Sequence, residues 1–202
     1  MSKKRVVLQC DCHFIRAGVE GVIKKSTLSK HIEIIANTDE ITRCAELMFI
    51  MHNIDIVILT LSHRNYEPWF LLKFISNLLP RVQPGSQVLI LNNRLNIESL
   101  KNYLRKLKNV HEIMDISLSL DELHKQLLSL SQNMSNSDLQ TSQSSSPLSL
   151  RELEVLNRLL KGDATIQIAE DLRINYKTVS CHKRSALKKI GIRSLNPLLS
   201  RH

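Results

Sequence analysis

The pattern of hydrophobic and polar positions divides the chain into two halves. From Arg5 to about Leu130, short apolar runs typical of buried strands alternate with stretches in which apolar residues recur at helical spacing. Strands are predicted at Arg5–Gln9, Ile32–Ala36, Asp55–Leu61, Gln87–Leu91 and Glu112–Asp115. Helices are predicted at Phe14–Lys25, Ile41–His52, Trp69–Leu79, Ile97–Lys106 and Leu120–Leu130. Five such units predict an α/β fold with a doubly wound parallel sheet.

The second half has the pattern of a small all-α domain. Ser149 and Glu152 form an S-x-x-E capping box that opens a helix ending near Leu160, and a second helix is predicted at Thr165–Leu172. Both carry apolar faces, made by Leu150, Leu153, Leu156, Leu159, Leu160, Ile168, Ala169 and Leu172. The short turn Arg173–Asn175 leads into a third helix. Two short helices joined by such a turn predict a helix-turn-helix.

The third helix runs from Asn175, a predicted N-cap, to Gly191, which can adopt the left-handed conformation that ends a helix. It has two chemically different sides. Its apolar side consists of Val179, Ala186, Leu187 and Ile190. Its opposite side consists of Lys177, Cys181, Arg184 and Lys188, with Ser180 at the edge. A Lys/Arg face on an isolated helix is usually just a solvated face. When the helix follows the turn of a helix-turn-helix, as here, the same face indicates a DNA-recognition helix.

The motifs of this half resemble the LuxR-type DNA-binding domain of bacterial regulators over about 50 residues. They are L-S-L-R-E-L-E-V-L from Leu148, Gly162, Ile168-Ala169, K-T-V-S-C-H from Lys177, and K-K-I-G from Lys188. The resemblance implies base-reading roles for Ser180, Cys181 and Arg184. It implies phosphate contacts for Lys177, Thr178, Lys183 and Lys188. An arginine can pair bidentately with a guanine edge, whereas lysines hold phosphates without reading sequence.

Two other residues of this helix are predicted to have structural roles. His182 lies nearer the apolar side, so we expect it to be packed or to touch a phosphate rather than to act as a ligand or catalyst. Tyr176 is expected to pack at the start of the helix.

Composition separates the two halves and suggests what joins them. Residues 129–147 contain eight Ser, three Gln, two Asn and no Lys or Arg, which predicts a flexible linker that uncouples the domain orientations. The predicted domains are therefore 1–128, a receiver-like domain, and 148–202, the DNA-binding domain. Of the net charge of +9, residues 148–202 carry +6, from eleven Lys/Arg against five Asp/Glu. This bias favours double-stranded DNA as a partner.

Several other classes of protein are disfavoured by the sequence. No apolar run is long enough for a membrane span and no signal peptide precedes the first strand, so we expect a cytoplasmic protein without a membrane partner. No acid/base pair, nucleophile constellation or glycine-rich phosphate loop indicates an enzyme or a cofactor. Cys10, Cys12 and His13 offer metal ligands without a second cluster, so no metal site is predicted, although a metal or redox sensor remains a further hypothesis.

The first half resembles the receiver domain of response regulators over about 125 residues, but its chemistry departs from that family. A working receiver needs an acidic pair for Mg²⁺, an Asp acceptor, a Ser/Thr and a Lys at successive strand ends. The corresponding positions here hold Asp11 with Cys12, then Thr60, then Asn92, and finally Asp115 or Ile116. Such a donor set is poor for Mg²⁺, which wants several oxygens. We therefore expect a degenerate phosphorylation site, and Thr60 as a simple strand-end residue.

Without phosphorylation, the remaining use of this half is its surface. The receiver resemblance implies partner contacts through the first and last helices, with candidates Ile15, Arg16, Val19, Val22, Ile23, Leu123 and Leu127, although each apolar position taken singly fits the core better than an interface. Together, the two halves resemble the auxiliary activators of the Rcs phosphorelay, among them the capsule-synthesis and beta-glucoside operon activators. That resemblance implies a heterodimer with a phosphorylatable LuxR-type response regulator, with a homodimer as the alternative. A different hypothesis is a protein that sequesters a response regulator without binding DNA.

Overall fold

The structure is a computed structural model, and it describes residues 3–25, 27–61, 68–92, 98–117, 119–132 and 146–199. The predicted linker falls largely outside these ranges. Among the described residues, no helix is both long enough and apolar enough to cross a bilayer.

A parallel five-stranded sheet organises the first half of the described chain. Its strands are β1 (Lys4–Gln9), β2 (Ile32–Thr38), β3 (Ile56–Leu61), β4 (Gln87–Asn92) and β5 (Val110–Asp115), and they lie in the order β2-β1-β3-β4-β5. The register places Val6 opposite Ile56 and Ile58 opposite Leu89. The prediction of a doubly wound parallel sheet is confirmed, with strand ends that differ by one or two residues.

Helices cover both faces of this sheet. They are α1 (His13–Lys25), α2 (Ile41–Ile50), α3 (Pro68–Lys73), α4 (Leu79–Val82), α5 (Glu98–Arg105) and α6 (Leu120–Gln132). Side chains alternate along each strand, so Leu8, Ile58 and Leu89 pack under α1 and α6. Val57 and Ile90, on the other face, pack under α2 to α5. Both faces are apolar because both are covered.

One predicted helix, Trp69–Leu79, is interrupted. Between α3 and α4 the backbone forms a π-helical turn over Phe74–Leu78, and the segment then continues to Val82. The hydroxyl of Ser76 donates to the carbonyl of Leu72 inside this turn. A side chain that bonds back to the helix in this way is a recognised cause of local distortion.

The last helix of the first half extends into the predicted linker. α6 continues to Gln132, so the predicted boundary at residue 128 and the linker start at residue 129 are too early. Leu130 is 2% exposed and packs in the core. The hydroxyls of Ser129 and Ser131 donate to the carbonyls of Gln126 and Leu128, which lets serine remain in a helix. Residues 133–145 of the linker lie outside the described residues.

Within residues 146–199 the second half folds into four helices, of which the first three were predicted from the sequence pattern. They are α7 (Leu150–Leu160), α8 (Thr165–Leu172), α9 (Tyr176–Ile190) and α10 (Asn196–Leu199). Pro197 lies in the first turn of α10, where its missing N–H costs little. Leu150 was predicted to belong to the apolar face of α7, but it is 47% exposed.

The two halves are packed together, which contradicts the predicted uncoupling of their orientations. Leu148, Leu153 and Leu156 are about 1% exposed and belong to the same apolar cluster as Leu100 and Tyr103 of α5. The Trp69 indole N–H also donates to the carbonyl of Leu153, at 2.8 Å. The linker composition could not reveal this contact because the contact is made by residues outside the linker.

Candidate nucleic-acid interface

The turn between α8 and α9 fixes the angle of the helix-turn-helix. Arg173 closes α8 in the left-handed conformation with φ of 53°, and the N–H of Ile174 bonds back to the carbonyl of Ala169 at 2.9 Å. Asn175 then caps α9, because its side-chain oxygen accepts from the N–H of Lys177 at 2.8 Å. The predicted short turn and N-cap are both confirmed.

A small core holds the three helices in this arrangement. Val155 of α7, Ile168 and Ala169 of α8 and Val179 of α9 are buried against one another. Arg158, near the end of α7, donates to Asp163 in the following turn at 2.7 Å and also bonds Asp171 of α8. Apolar packing and these ion pairs therefore fix α8 and α9 relative to α7.

A buried carboxylate joins α7 to the back of α9. Glu152 is 5% exposed, and its oxygens accept from the hydroxyl of Ser185 at 2.6 Å and from the ammonium of Lys189 at 2.7 Å. It also accepts from the N–H of Ser149 at 2.7 Å, which completes the predicted capping box. Burial alone would raise the pKa of Glu152, but the bonds from Lys189, Ser185 and Ser149 outweigh it and hold that pKa below its usual range.

The opposite side of α9 faces solvent. Lys177, Thr178, Cys181, Arg184 and Lys188 are all exposed, so the structure brings these predicted DNA-binding residues together on one surface. Ser180, at the edge of that surface, and Lys183, which helical spacing places nearer Leu187 and Ile190, are half-buried. We call these seven residues the recognition face.

Arg184 is oriented by its neighbours on the same helix. Its Nε lies 3.4 Å from the carbonyl of Ser180, and one of its terminal nitrogens lies 3.5 Å from the sulfur of Cys181. Both are weak contacts at the limit of hydrogen-bond distance. The guanidinium therefore lies across the recognition face and can exchange these contacts for a base edge.

Tyr176 does not pack as predicted. It is 54% exposed, because the first turn of α9 extends beyond the small core rather than lying against it. Tyr176 is the first residue of α9 and precedes Lys177 in the sequence. His182 is half-buried on the side of α9 away from the recognition face, in agreement with its predicted position.

The strand ends of the receiver-like half hold their predicted residues in a tightly bonded arrangement. Thr60 is 5% exposed, and its hydroxyl donates to the carbonyl of Gln9 at 3.1 Å. Its backbone N–H donates to the side chain of the same Gln9, at 3.1 Å. Asn92 is 4% exposed at the end of β4, while Asp11 and Cys12 are partly exposed after β1. The hydroxyl at the acceptor position is thus buried and engaged in a strand-to-strand bond.

Most of the predicted partner-contact residues lie in the core instead. Val19, Ile23, Leu123 and Leu127 are at most 7% exposed, and Ile15 and Val22 pack against them at the edge of the same cluster. Helical spacing alone could not separate the core side of α1 from its outer side. Arg16 is partly exposed.

The outer side of α1 is nevertheless apolar in one place. Between α1 and α6 lies a groove of about 260 Å³, with Leu91 and Met114 among its lining residues and Phe14 and Leu120 at its rim. Phe14 is 86% exposed and Leu120 is 61% exposed. An exposed phenyl ring beside an open apolar groove is typical of a protein contact surface.

A capping box, a turn with a left-handed residue and a cationic recognition helix thus occur together in the second half. Residues 146–200 match the family model of bacterial regulatory proteins of the luxR family. The C-terminal domain is of the LuxR type.

The similarity to known proteins extends beyond the LuxR-type domain. The Fimbriae Z protein of Salmonella typhimurium is 24% identical over 209 residues, which cover 98% of this chain and 96% of that protein. The oxygen regulatory protein NreC of Staphylococcus aureus is 42% identical over 64 residues, which is 30% of each chain. The long match at lower identity spans both halves, and the short match at higher identity spans under a third of the chain.

Solved structures share the arrangement of a receiver-like domain followed by a LuxR-type domain. RcsB of Salmonella enterica serovar Typhimurium bound to promoter P1flhDC has a TM-score of 0.56 at 20% identity, covering 99% of this chain and 98% of that one. A complex of the response regulator RcsB with DNA has a TM-score of 0.55 at 21% identity, with the same coverage. At these identities the likeness concerns the fold.

Sequence reasoning missed the residues that support the LuxR-type domain from behind. Glu152 was assigned only to the capping box. Its spacing from Ser149 could not reveal its hydrogen bonds with Ser185 and Lys189, which lie more than thirty residues away in the sequence. Trp69 and Tyr103, which contact this domain from the first half, were assigned only to helices. The single Trp of the chain was the one available clue, since a lone large aromatic often anchors a contact.

We expect Glu152→Gln to destabilise the LuxR-type domain by about 1.5–3 kcal/mol, because hydrogen bonds to a charged group are lost at a buried site. Since the pKa of Glu152 is lowered by folding, the stabilisation is present above the ordinary glutamate pKa and is lost as pH falls through the lowered value. Urea unfolding of both proteins at several pH values measures this. In acid, the free energies of unfolding of the two proteins should converge.

Glu154→Gln is the matched control, because Glu154 pairs only with exposed Arg151 on the surface of α7. Such a pair contributes about 0–1 kcal/mol. An equal loss of stability in both variants would contradict the role of Glu152.

Proposed function

We propose that this chain is a sequence-specific DNA-binding transcriptional regulator that works without phosphorylation and pairs with a second response-regulator chain. The observation that supports this proposal is the recognition face. Five of its side chains are exposed on α9, while Glu152 bonds to the opposite side of that helix. Such a protein acts on the chromosome, in the cytoplasm.

Within the recognition face, the chemistry of each residue suggests its role. Arg184 reads a guanine edge, because its planar fork can make two parallel bonds. Cys181 and Ser180 are small and let α9 approach the groove floor closely. Lys177, Thr178, Lys183 and Lys188 hold phosphates, which gives affinity without sequence preference. The exposed ring of Tyr176 lies at the same end of α9 as Lys177 and extends this surface.

The bonding of Thr60 supports independence from phosphorylation. An acceptor must present an accessible oxygen beside a bound Mg²⁺, but this hydroxyl is buried and donates to Gln9. Mg²⁺ prefers several carboxylate oxygens, and Asp11 is the one carboxylate on the first strand end. In the part of the chain that the structure describes, His, Cys, Asp and Glu form no group of three suited to a metal. The residues at this edge therefore do not fit the metal that receivers use.

The groove between α1 and α6 is the best candidate for the partner surface. Phe14 protrudes next to a depression large enough for a phenyl ring, so two related chains could each insert a ring into the other. The first turn of α6 is acidic through Asp121 and Glu122, whereas the first turn of α1 carries no acidic residue and is followed by Arg16. These charges favour the approach of α1 of one chain to α6 of the other.

A partner of the RcsB type is proposed on the shared architecture. Several of the solved neighbours are RcsB structures, among them one of two RcsB dimers bound to two parallel DNAs. The fold of this chain matches theirs over nearly its whole length. A homodimer is the alternative, and a chain that sequesters a response regulator without DNA is the second candidate function. The exposed recognition face disfavours sequestration, which would not need it.

The proposal is tested by selecting binding sites from a pool of random-sequence duplexes, with and without an RcsB-type response regulator. The affinity of the protein for the selected duplexes is then measured over a salt series. Affinity should fall steeply with salt in both cases, because phosphate contacts release counterions. Selective binding only with the regulator supports the heterodimer, and selective binding alone supports a homodimer. No selective binding in either case supports sequestration and contradicts the proposal.

We expect Arg184→Ala to weaken binding to the selected site by about 1–3 kcal/mol and to relax preference at one base pair. Lys188→Ala is the matched comparison on the same face. It should weaken binding to all duplexes alike and reduce the salt slope by about 1. Fluorescence anisotropy with the selected duplex and with single-base variants measures both. Unchanged selectivity in the Arg184 variant would contradict base reading.

Acetyl phosphate with Mg²⁺ should add no phosphate to this protein and should leave its DNA affinity unchanged. Intact-protein mass spectrometry checks this, with an RcsB-type regulator in the same reaction as positive control. A phosphate adduct on the wild type that disappears in Thr60→Val would show that Thr60 is an acceptor after all.

We expect Phe14→Ala to weaken association with the partner chain by about 2 kcal/mol or more, as for a buried aromatic anchor, without loss of stability. Phe49→Ala is the control, since Phe49 is 57% exposed on α2, away from the groove. Sedimentation velocity of each variant, alone and mixed with an RcsB-type regulator, measures association. Equal effects of the two substitutions would argue against the groove.

A further inference from the structure

The contact between the two halves is built from specific side chains as well as apolar area. α7 lies against α3, and the end of α9 lies against α5. The Trp69 indole N–H donates to the carbonyl of Leu153 at 2.8 Å, and the ammonium of Lys73 lies 4.9 Å from the centre of the same ring. We call this contact, made by Trp69 and Tyr103 with Leu148 and Leu153, the dock.

A buried hydrogen bond crosses the dock inside the shared core. The buried N–H of Leu148 donates to the hydroxyl of Tyr103 at 3.0 Å. Buried polar groups are costly when they lack partners, so this hydrogen bond favours one relative position of the halves. Sliding α7 would leave the N–H of Leu148 without its partner.

The dock and the recognition face lie on different parts of the LuxR-type domain. The dock covers Leu148, Leu153 and Leu156, which are buried. Lys177, Cys181, Arg184 and Lys188 remain exposed while the domain is docked. No described residue of the first half therefore covers these side chains, and they are open to DNA.

We propose that the docked arrangement is the DNA-binding form of this protein. The receiver-like half carries α9 as part of one rigid body, with the recognition face outward, and DNA binds without opening the dock. This inference rests on the proposed function and goes beyond it, because a regulator of this architecture could equally have to undock before it binds.

The geometry offers a direct way to lock the dock. A Cβ built on Gly191, at the end of α9, lies 3.9 Å from the Cβ of Ser99 in α5. Disulfides have Cβ atoms about 3.8 Å apart on average. The double variant Ser99→Cys/Gly191→Cys should therefore form an intramolecular disulfide on oxidation. Gly191 has φ of 83°, so the cysteine there adds some strain, which is equal in the oxidised and reduced forms.

The test compares the DNA affinity of the oxidised and reduced double variant by anisotropy, in the presence of an RcsB-type regulator and with the duplex selected by wild-type protein together with that regulator. Wild type exposed to the same oxidant controls for the native thiols, including exposed Cys181. We expect the locked form to bind within about twofold of the reduced form, since a lock on an existing arrangement should not change the free energy of binding. Loss of binding in the locked form, restored by reduction, would overturn the inference and make the dock autoinhibitory.

A second measurement needs no substitution. Trp69 is the single tryptophan of the chain, so fluorescence excited beyond the absorption band of tyrosine reports on the dock. Saturating DNA should leave its emission maximum unchanged, whereas undocking would move it toward the value of the urea-unfolded chain. Failure of wild type to bind any duplex would refute the proposed function and this inference together. Binding by wild type with an emission shift would refute this inference alone.

Discussion

A buried carboxylate determines the geometry of the DNA-binding half. Glu152 accepts bonds from the start of its own helix and from two residues of α9, and these bonds lower its pKa despite burial. An acidic side chain is rarely buried unless it is paired. Here the pairing uses the back of α9, and the cationic front of the same helix stays exposed. The anchoring of α9 and the exposure of its cationic side are two results of one arrangement.

The two halves of the chain also share an apolar core. Leu148, Leu153 and Leu156 are buried against α3 and α5 as well as against α9. A domain of about fifty residues buries little surface by itself and is correspondingly marginal. Packing α7 between two domains gives it a second apolar contact. The first half thus contributes to the stability of the second, whatever its part in partner binding.

Much of this fold could be predicted from the sequence, because buried strands and amphipathic helices leave strong periodic patterns. Each strand was found to within two residues, and the capping box, the turn at Arg173 and the cap at Asn175 were found directly. Five residues of the recognition face were predicted from helical spacing, whereas Thr178 and Lys183 were added by the family resemblance; five of the seven are exposed. These features depend on residues that are close in sequence.

The errors concern contacts between residues that are distant in sequence. Leu123 and Leu127 were assigned to a partner surface, but they are core, because spacing along one helix does not show what covers it. The dock was missed because Trp69 and Leu153 are separated by 84 positions. Ser129 and Ser131 suggested a linker by composition, although their hydroxyls bond back into α6.

The two bonds between Thr60 and Gln9 affect how fast such a regulator could respond. A phosphorylated receiver switches on and off with the lifetime of its acyl phosphate, while the protein itself persists. Here the strand end that would carry the phosphate is tied to its neighbour through a buried hydroxyl and an N–H. Under the proposed function, occupancy of DNA follows the concentration of the chain and its partner by mass action. The time constant of the response is then set by synthesis and turnover of the protein rather than by phosphoryl transfer.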